Sequence, residues 1–336
     1  MHHDILAIPM GDAAGIGPEI IVKALTHESV RHIPVIVVAD AQVMRQAIAI
    51  CGVSLTVHPV DTPMDARFEP GVMNILDTKN IDMAELSFGT VSAMCGRAAF
   101  ECINTAIDLV MNGSCAAVVT PPINKESLKA ACVPFIGHTE IFGSLTGSHD
   151  PLTMFEVHGM RVFFLTRHVS LRDACDLITK ERIQDYIVRC TKALAQLGID
   201  EGTIAVAGLN PHCGEHGLFG REEVDEVIPA IESMQKAGYR VVGPIGADSV
   251  FHQAKQGRFA AVLSLYHDQG HIACKTLDFD RTISLTLGMP ILRTSVDHGT
   301  AFDIAGQGVA SEIGMVEAIL AGARYAPKFA TLRQEV

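Results

Sequence analysis

Residues 260–275 read AAVLSLYHDQGHIACK. An apolar run suited to a buried strand stops at Tyr266, and His267, Asp268, His271 and Lys275 follow within nine residues. Titratable groups are costly inside a core, but they serve a ligand well where a strand leaves it. Two other stretches repeat the arrangement: MRVFFLTRH ends in His168 and TIAVAGLNPH ends in His212. In a parallel sheet all carboxyl ends lie along one edge, so three imidazoles delivered there could meet at a point. Neutral imidazoles ligate zinc, nickel, cobalt or iron and leave positions open for a substrate. The competing reading is plain: histidine is common in loops, and this chain has 15. His271 reads either as a group supporting a ligand or as a surface residue. His2, His3, His27, His32, His58 and His252 have no such context and read as solvated or packed.

Outward from this stretch, short Val- and Ile-rich runs alternate with helical patterns. Candidate strands are Ile5–Pro9, Pro34–Val38, Ala116–Thr120, Arg161–Thr166, Thr203–Ala207, Ala260–Tyr266 and Ile291–Thr294. Candidate helices are Pro18–Leu25, Ala41–Ala49, Val91–Met111, Glu181–Leu197, Arg221–Ala237 and Glu312–Ala321. The alternation predicts a layered α/β fold with a largely parallel sheet. In MFEVHGMRVFFLT, the HG pair between two apolar runs reads as a hairpin, so one sheet is expected to be mixed. The length of 336 residues implies two domains or an extended double layer, with no long linker between them.

The composition narrows the function classes. Hydrophobic residues make up 48% and charged residues 19%, enough apolar surface for a sizeable core. Net charge is −12 and no basic stripe appears, which argues against nucleic-acid binding. A few local cations can still bind an anionic substrate. The nine cysteines are irregularly spaced without a C-x-x-C pair and read as reduced thiols, with Cys213 and Cys274 given a packing role. No segment has the length of a membrane span or the form of a signal peptide, so a soluble cytoplasmic protein is expected.

Other polar clusters follow strands. In MGDAAGIGPEI, Gly11, Gly15 and Gly17 allow a tight strand-to-helix turn, with Pro18 suited to the first helical turn. In TPPINKES, Asn124 and Lys125 either face a ligand or cap and solvate a helix start. In PFIGHTEIFGSL, His138 and Thr139 sit at a helix entry and suit a phosphate, an ordinary cap by Thr139 being the alternative. LRTSVDHGTAFDIAGQGVASE carries Arg293, Asp297, His298, Gly299, Thr300, Asp303, Gly306 and Gly308, more polar detail than a connector requires. A loop that wraps a nucleotide needs such residues.

DHGTAFDIAGQGVA resembles the cofactor loop of the isocitrate and isopropylmalate dehydrogenase superfamily, and GDAAGIGPEI its first turn. INKES, GHTE, LNPHCGEHGLFGREE, YHDQGHIACK and LRTSVDHGTAFDIAG, in this order, resemble the 4-hydroxythreonine-4-phosphate dehydrogenase family over nearly the whole chain. The resemblance implies two α/β/α domains with a cleft between them and mixed sheets. Residues 1–135 plus 285–336 would form the domain with the cofactor loop, and 136–284 the metal-binding and dimerisation domain. It implies a homodimer with active sites at the interface, NAD or NADP as cofactor, and one divalent metal (Zn, Co, Mg, Mn or Ni) per site. The metal ligands it implies are His168, His212 and His267, one from the partner subunit. Substrate contacts carry over to His138, Thr139, Lys275 and Arg293, and the cofactor contacts to His298, Gly299, Thr300, Asp303 and Gly306. Two departures stand out: Ser284 replaces an asparagine in SLTLGMP, and HIACK replaces HIPLK. Both bear on substrate choice.

The implied reaction is metal-assisted oxidation of a secondary alcohol in a phosphorylated four-carbon hydroxy acid, with decarboxylation of a β-keto product. Lys275 and Arg293 would hold the phosphate. Asp268 and Lys275 are the catalytic candidates, Asp268 orienting His267 or assisting proton transfer, or serving only as a turn residue. The first substrate expected is 4-hydroxythreonine 4-phosphate, with threonate or erythronate 4-phosphate as alternatives. A cis-dihydrodiol carboxylate dehydrogenase on the same scaffold, a phosphate acyltransferase, and a non-catalytic zinc-stabilised dimer are competing readings.

Overall fold

The computed structural model describes residues 4–333, so His2 and His3 lie outside the described residues. The chain begins β1 (Leu6–Pro9), α1 (Gly17–Thr26), β2 (Val35–Ala39), α2 (Ala41–Cys51), β3 (Thr56–Val60), β4 (Val72–Asp77), α3 (Ala93–Met111), β5 (Ala117–Thr120), α4 (Lys125–Ala130) and α5 (His138–Leu145). It continues β6 (Leu152–Val157), β7 (Met160–Phe164), α6 (Leu171–Asp176), α7 (Lys180–Gln196), β8 (Ile204–Ala207), α8 (Ile228–Lys236), β9 (Val241–Ile245), α9 (Ala247–Lys255), β10 (Ala261–Ser264) and α10 (His267–Leu277). It closes with β11 (Ile283–Leu287), β12 (Leu292–Val296) and α11 (Ile313–Arg333).

These elements form two compact units, Met1–Pro151 with Ile283–Val336, and Leu152–Thr282. His138, Thr139 and Ser284 therefore sit in the first unit. Its strand order is β3-β4-β2-β1-β5-β12-β11. All neighbours pair parallel except β11, which runs antiparallel to β12. Strands β1, β2 and β5 are buried along their whole length, as continuous apolar runs must be when both faces of a sheet are covered.

The second unit has the order β6-β7-β10-β8-β9. Strands β7, β10, β8 and β9 are parallel, and β6 joins β7 as an antiparallel hairpin. Its turn is His158–Gly159, with φ +48° and +78°, the double positive φ that matches the twist of a hairpin. Part of its core is Phe155, Val162, Phe164, Ala205, Val262 and Val250.

The main differences from the sequence expectation are short elements. Strands β3, β4, β9 and β11 lack a long apolar run. The run ending at Tyr266 leaves the sheet at Ser264, because the Leu265 N–H goes to the Gln269 side chain at 2.7 Å rather than to a neighbouring strand. HDQGHIACK, which is not among the candidate helices, forms the start of helix α10. Gly270 makes this possible: a Cβ there would lie 2.5 Å from the Phe164 ring, so only glycine lets α10 press onto the sheet. The stretch expected as one helix from Arg221 enters through a wider turn, Glu223–Val227, before α8. Among the described residues no helix is long and apolar enough to cross a membrane.

Leu263 is wholly buried on β10, which lies between β7 and β8. Leu263→Ala is expected to cost about 2–5 kcal/mol, read as an earlier denaturant transition of the second unit.

Candidate active site

The three histidine-bearing strands of the second unit are consecutive neighbours, in the order β7-β10-β8. Parallel pairing sends His168, His267 and His212 out of the same edge. The ends are tied together. Thr166 Oγ1 donates to Leu265 O at 2.9 Å, joining the β7 exit to the β10 exit. Gln269, buried in the first turn of α10, accepts the Leu265 N–H and donates to Gly208 O, both at 2.7 Å. One side chain thus ties the β10 exit to the β8 exit.

His267 is the first residue of α10. Its Nδ1 shares a 2.7 Å hydrogen bond with Asp268 Oδ1, which leaves Nε2 as the free ring nitrogen. The contact suits Asp268 to orienting the ring. His267, His271 and Lys275 lie at i, i+4 and i+8 and share one face of the helix. His271 stacks on His267 with centroids 3.6 Å apart and planes 13° apart. Its far side is closed by Phe155 and Phe164, with centroids at 4.4 and 4.6 Å. His271 is therefore a partly buried wedge that fixes the His267 ring plane, and not a plain surface residue. The Lys275 ammonium lies over the Phe279 ring at 5.1 Å. The His168 and His267 ring centroids are 5.9 Å apart. Both line a cavity of about 300 Å³ with Arg167, Val169, Leu171, Ala174, Tyr266 and Asp268.

His212 sits differently. It opens a run of five residues in left-handed conformation: His212, Cys213, Gly214, Glu215 and His216, with φ of 54°, 56°, 77°, 43° and 57°. Each non-glycine residue there costs about 1–2 kcal/mol. The strain is held by Glu223, whose side chain is fully buried. Its Oε1 accepts the Leu209 and Asn210 N–H groups at 2.8 and 2.7 Å, and its Oε2 accepts the Asn210 amide at 2.8 Å. Among the described residues no three His, Cys, Asp or Glu side chains come together as a metal site. The single chain brings His168 and His267 together, and the expected convergence of three imidazoles does not occur within it.

The first unit places a buried cation on one sheet face. Thr286 pairs with Arg293 and Ser284 with Ser295 across β11 and β12, while Thr120 of β5 pairs with Ser295. These five side chains share a face. The Arg293 guanidinium donates to Thr120 Oγ1, Thr286 Oγ1 and Ser295 Oγ at 2.9, 2.8 and 2.8 Å. It also lies over the Phe142 ring of α5 at 5.3 Å. Burial pushes its pKa down to about 9, against a smaller upward pull from Asp297. Its hydrogen bonds go to neutral hydroxyls, so the positive charge is solvated without being neutralised. An anion would complete it.

His138 is the first residue of α5, after Gly137, which occupies the cap position. Thr139 is thus inside the helix and is not its cap. The His138 Nε2 is buried without a hydrogen-bond partner. Burial, then the Arg293 charge, hold its pKa well below the usual 6.5. Asn124 caps α4 by accepting the Ser127 N–H at 2.8 Å, so its capping reading holds, and Lys125 is exposed. His298, Gly299, Thr300, Asp303 and Gly306 lie on the loop between β12 and α11. Thr300 O accepts the Ile16 N–H at 3.1 Å, and Asp303 is exposed. Gln269 and Glu223 were not singled out from sequence. Their signal is faint: a glutamine inside HDQG and one acid of the pair in GREE.

Comparison with known proteins now adds to this geometry. The chain is 60% identical over 329 residues, 98% of its length and 99% of the relative's, to a Fusobacterium nucleatum protein named "Putative D-threonate 4-phosphate dehydrogenase". Among solved structures it is similar to 4-hydroxythreonine-4-phosphate dehydrogenase from Klebsiella pneumoniae, with TM-score 0.89 and 40% identity over 96% of this chain and 99% of that one. A terephthalate 1,2-cis-dihydrodiol dehydrogenase from Burkholderia xenovorans is more distant, with TM-score 0.65 and 26% identity over 96% of this chain and 98% of that one. The chain is a dehydrogenase, an oxidoreductase with a mixed α/β fold. Residues 31–321 match the family described as pyridoxal phosphate biosynthetic protein PdxA, and the chain belongs to that family.

The depressed His138 pKa has a consequence for stability. The folded state favours the neutral ring, so this contribution is complete above the unfolded value of 6.5 and is lost as pH falls below it. His138→Asn is expected to flatten the fall in Tm between about pH 7 and about pH 5. An unchanged slope in the variant would reject this assignment.

Proposed function

We propose that the protein catalyses the NAD(P)-dependent, divalent-metal-dependent oxidation, with decarboxylation, of a four-carbon hydroxy acid carrying a 4-phosphate. The observation that carries the substrate class is Arg293, a buried guanidinium whose hydrogen bonds go only to hydroxyls, beside the unpartnered His138 Nε2. With Thr139, on the same helix as His138, these residues bind the phosphate of the substrate. The relatives' names support 4-hydroxythreonine 4-phosphate and D-threonate 4-phosphate. The second is supported by the 60% identity to the Fusobacterium protein, and Ser284, which the resemblance sets against an asparagine, shares the Arg293 face and keeps both substrates in play.

The donor set fits a metal on two counts. His267 has Nε2 free, since Asp268 takes Nδ1, and His168 lies beside it across the same cavity. In this reading His168 and His267 act together with a His212 supplied by a second copy of the chain. Apolar side chains around these residues are open to solvent, among them Val169, Leu171, Leu218, Phe219 and Ile272, as expected of a face that a partner covers in a homodimer. Bound metal supplies Lewis-acid polarisation of the substrate hydroxyl, and bound nicotinamide accepts the hydride. Asp268 keeps the His267 tautomer fixed, His271 keeps its plane, and Glu223 holds the left-handed turn that presents His212. Lys275 lies two turns along α10 on the same helix face as His267. The loop with His298, Gly299, Thr300, Asp303 and Gly306 binds the dinucleotide. The cysteines are all free, which supports a reducing compartment such as the cytoplasm.

The test is a panel of four-carbon hydroxy acids, with and without 4-phosphate and with and without chelator, followed by NADH and carbon dioxide formation. Arg293→Met is expected to lower kcat/KM for the phosphorylated substrate by about 10–100-fold, the worth of a charge-assisted anchor, while sparing the weak activity on its unphosphorylated counterpart. An equal loss on both would remove the phosphate assignment. His212→Ala should abolish turnover and metal binding while leaving a folded dimer, and full activity in that variant would remove the metal assignment. If D-threonate 4-phosphate is the substrate, Ser284→Asn should shift preference toward 4-hydroxythreonine 4-phosphate.

A further inference from the structure

Helix α1 grips the loop between β12 and α11. Glu19, in its first turn, is 1% exposed. Its Oε1 accepts the Gly306 N–H at 2.6 Å and its Oε2 the Gly308 N–H at 2.7 Å. One helical turn on, the Lys23 ammonium donates to Gly308 O at 3.2 Å and to Ala310 O, and it lies 3.5 Å from Glu312. An acid and a base at i and i+4 on one helix face thus satisfy donors and acceptors of the same short backbone segment. That segment has no strand ladder or helix of its own to do so. The few hydrogen bonds within the loop are local, such as Ile304 N–H to Ala301 O at 3.1 Å. Gly306 has φ +80°, and a Cβ there would lie 2.5 Å from the Phe88 ring, so the loop is also wedged from its other side.

A glycine-rich loop ordinarily offers free backbone N–H groups to a phosphate. Here two of those groups are already spent on a carboxylate. We propose that Glu19, with Lys23, is a positioning residue for the dinucleotide: the α1 side chains, and not the bound cofactor, shape the 306–310 backbone, so the loop is preformed before binding. A preformed loop does not charge its ordering entropy against the ligand, and loosening it weakens dinucleotide binding without touching the reacting atoms. The inference rests on the reading of residues 298–306 as the cofactor loop.

Glu19→Gln keeps the size but turns one acceptor into an NH₂ that faces a backbone N–H. In the full-length enzyme it is expected to raise the dinucleotide KM, and the Kd measured by equilibrium dialysis with NAD, by about tenfold or more. The kcat at saturating dinucleotide should stay within about twofold and the KM for the phosphorylated substrate should not move. Amide exchange at Gly306 and Gly308 should speed up in the dinucleotide-free protein, and Glu19→Asp should recover part of the loss. An unchanged dinucleotide KM, or equal losses in kcat and in both KM values, would overturn the proposal. Should Glu19→Gln fail to fold, Lys23→Met tests the carbonyl half of the clasp and must shift the dinucleotide KM in the same direction. Asp303→Ala and His298→Ala separate the two levels. If they raise the dinucleotide KM and Glu19→Gln does not, the clasp is wrong and the cofactor loop stands. If none of the three variants changes it, the loop does not bind the dinucleotide and both ideas fall.

Discussion

The pairing of β10 with β7 on one side and β8 on the other is the constraint on which the second unit's chemistry depends. Parallel strands cannot be joined by tight turns, so each must end at the same edge and send its chain away from there. Three consecutive strands therefore release three histidines side by side. What happens next is decided within a few residues of each exit. After β10 the chain turns at once into α10, which fixes His267 at the first helical position. After β8 it enters a left-handed turn that opens with His212, and among the described residues His212 does not join the other two as a metal site. Adjacent exits do not guarantee adjacent side chains, and here they bring two rings together instead of three.

Buried charge is the second organising theme, and it works differently in each place. Glu19 accepts a backbone N–H at each oxygen, and Glu223 accepts two backbone N–H groups at one oxygen and the Asn210 side-chain amide at the other. Each is satisfied inside the chain and each stabilises a backbone segment that would not hold its shape alone. Arg293 is the opposite case. Its donors meet neutral hydroxyls, so its charge is solvated but not cancelled, and burial lowers its pKa. The same physics that makes the two acids structural leaves this cation able to take an anion. His138 adds to it: a ring kept neutral beside a guanidinium carries no positive charge of its own to repel that cation, and its buried nitrogen is open to hydrogen bonding.

Much of this was visible in the residues. MRVFFLT, TIAVAG and AAVLSL are continuous apolar runs that make sense only as strands covered on both faces, and a histidine within a few residues of each end marks the exits. The HG pair sets the hairpin because two residues of positive φ match its twist. Other features were hidden. HDQGHIACK lacks a strong apolar period and contains glycine, so its helix is unreadable without the Phe164 ring that Gly270 must clear. Strand β11, ISLTL, is too short and too polar to stand out, since Ser284 and Thr286, two of its five side chains, lie on the Arg293 face. Thr139 looks like a cap in sequence, whereas Gly137 takes that position. Glu19 and Glu223 look like ordinary charges on helical segments, because nothing local shows that their oxygens point inward.

The sequence by itself determined the layered α/β class, the mixed hairpin, the family and the set of titratable residues that gather after strands. It could do so because hydrophobic period and turn chemistry are local properties. Only the tertiary structure decided which of those residues meet, which face of β11 and β12 carries the cation, and which buried acids hold the turn and the loop. Those outcomes depend on strand order and on hydrogen bonds between segments as much as 289 residues apart, as from Gly308 to Glu19, and no local pattern encodes a partner at that distance.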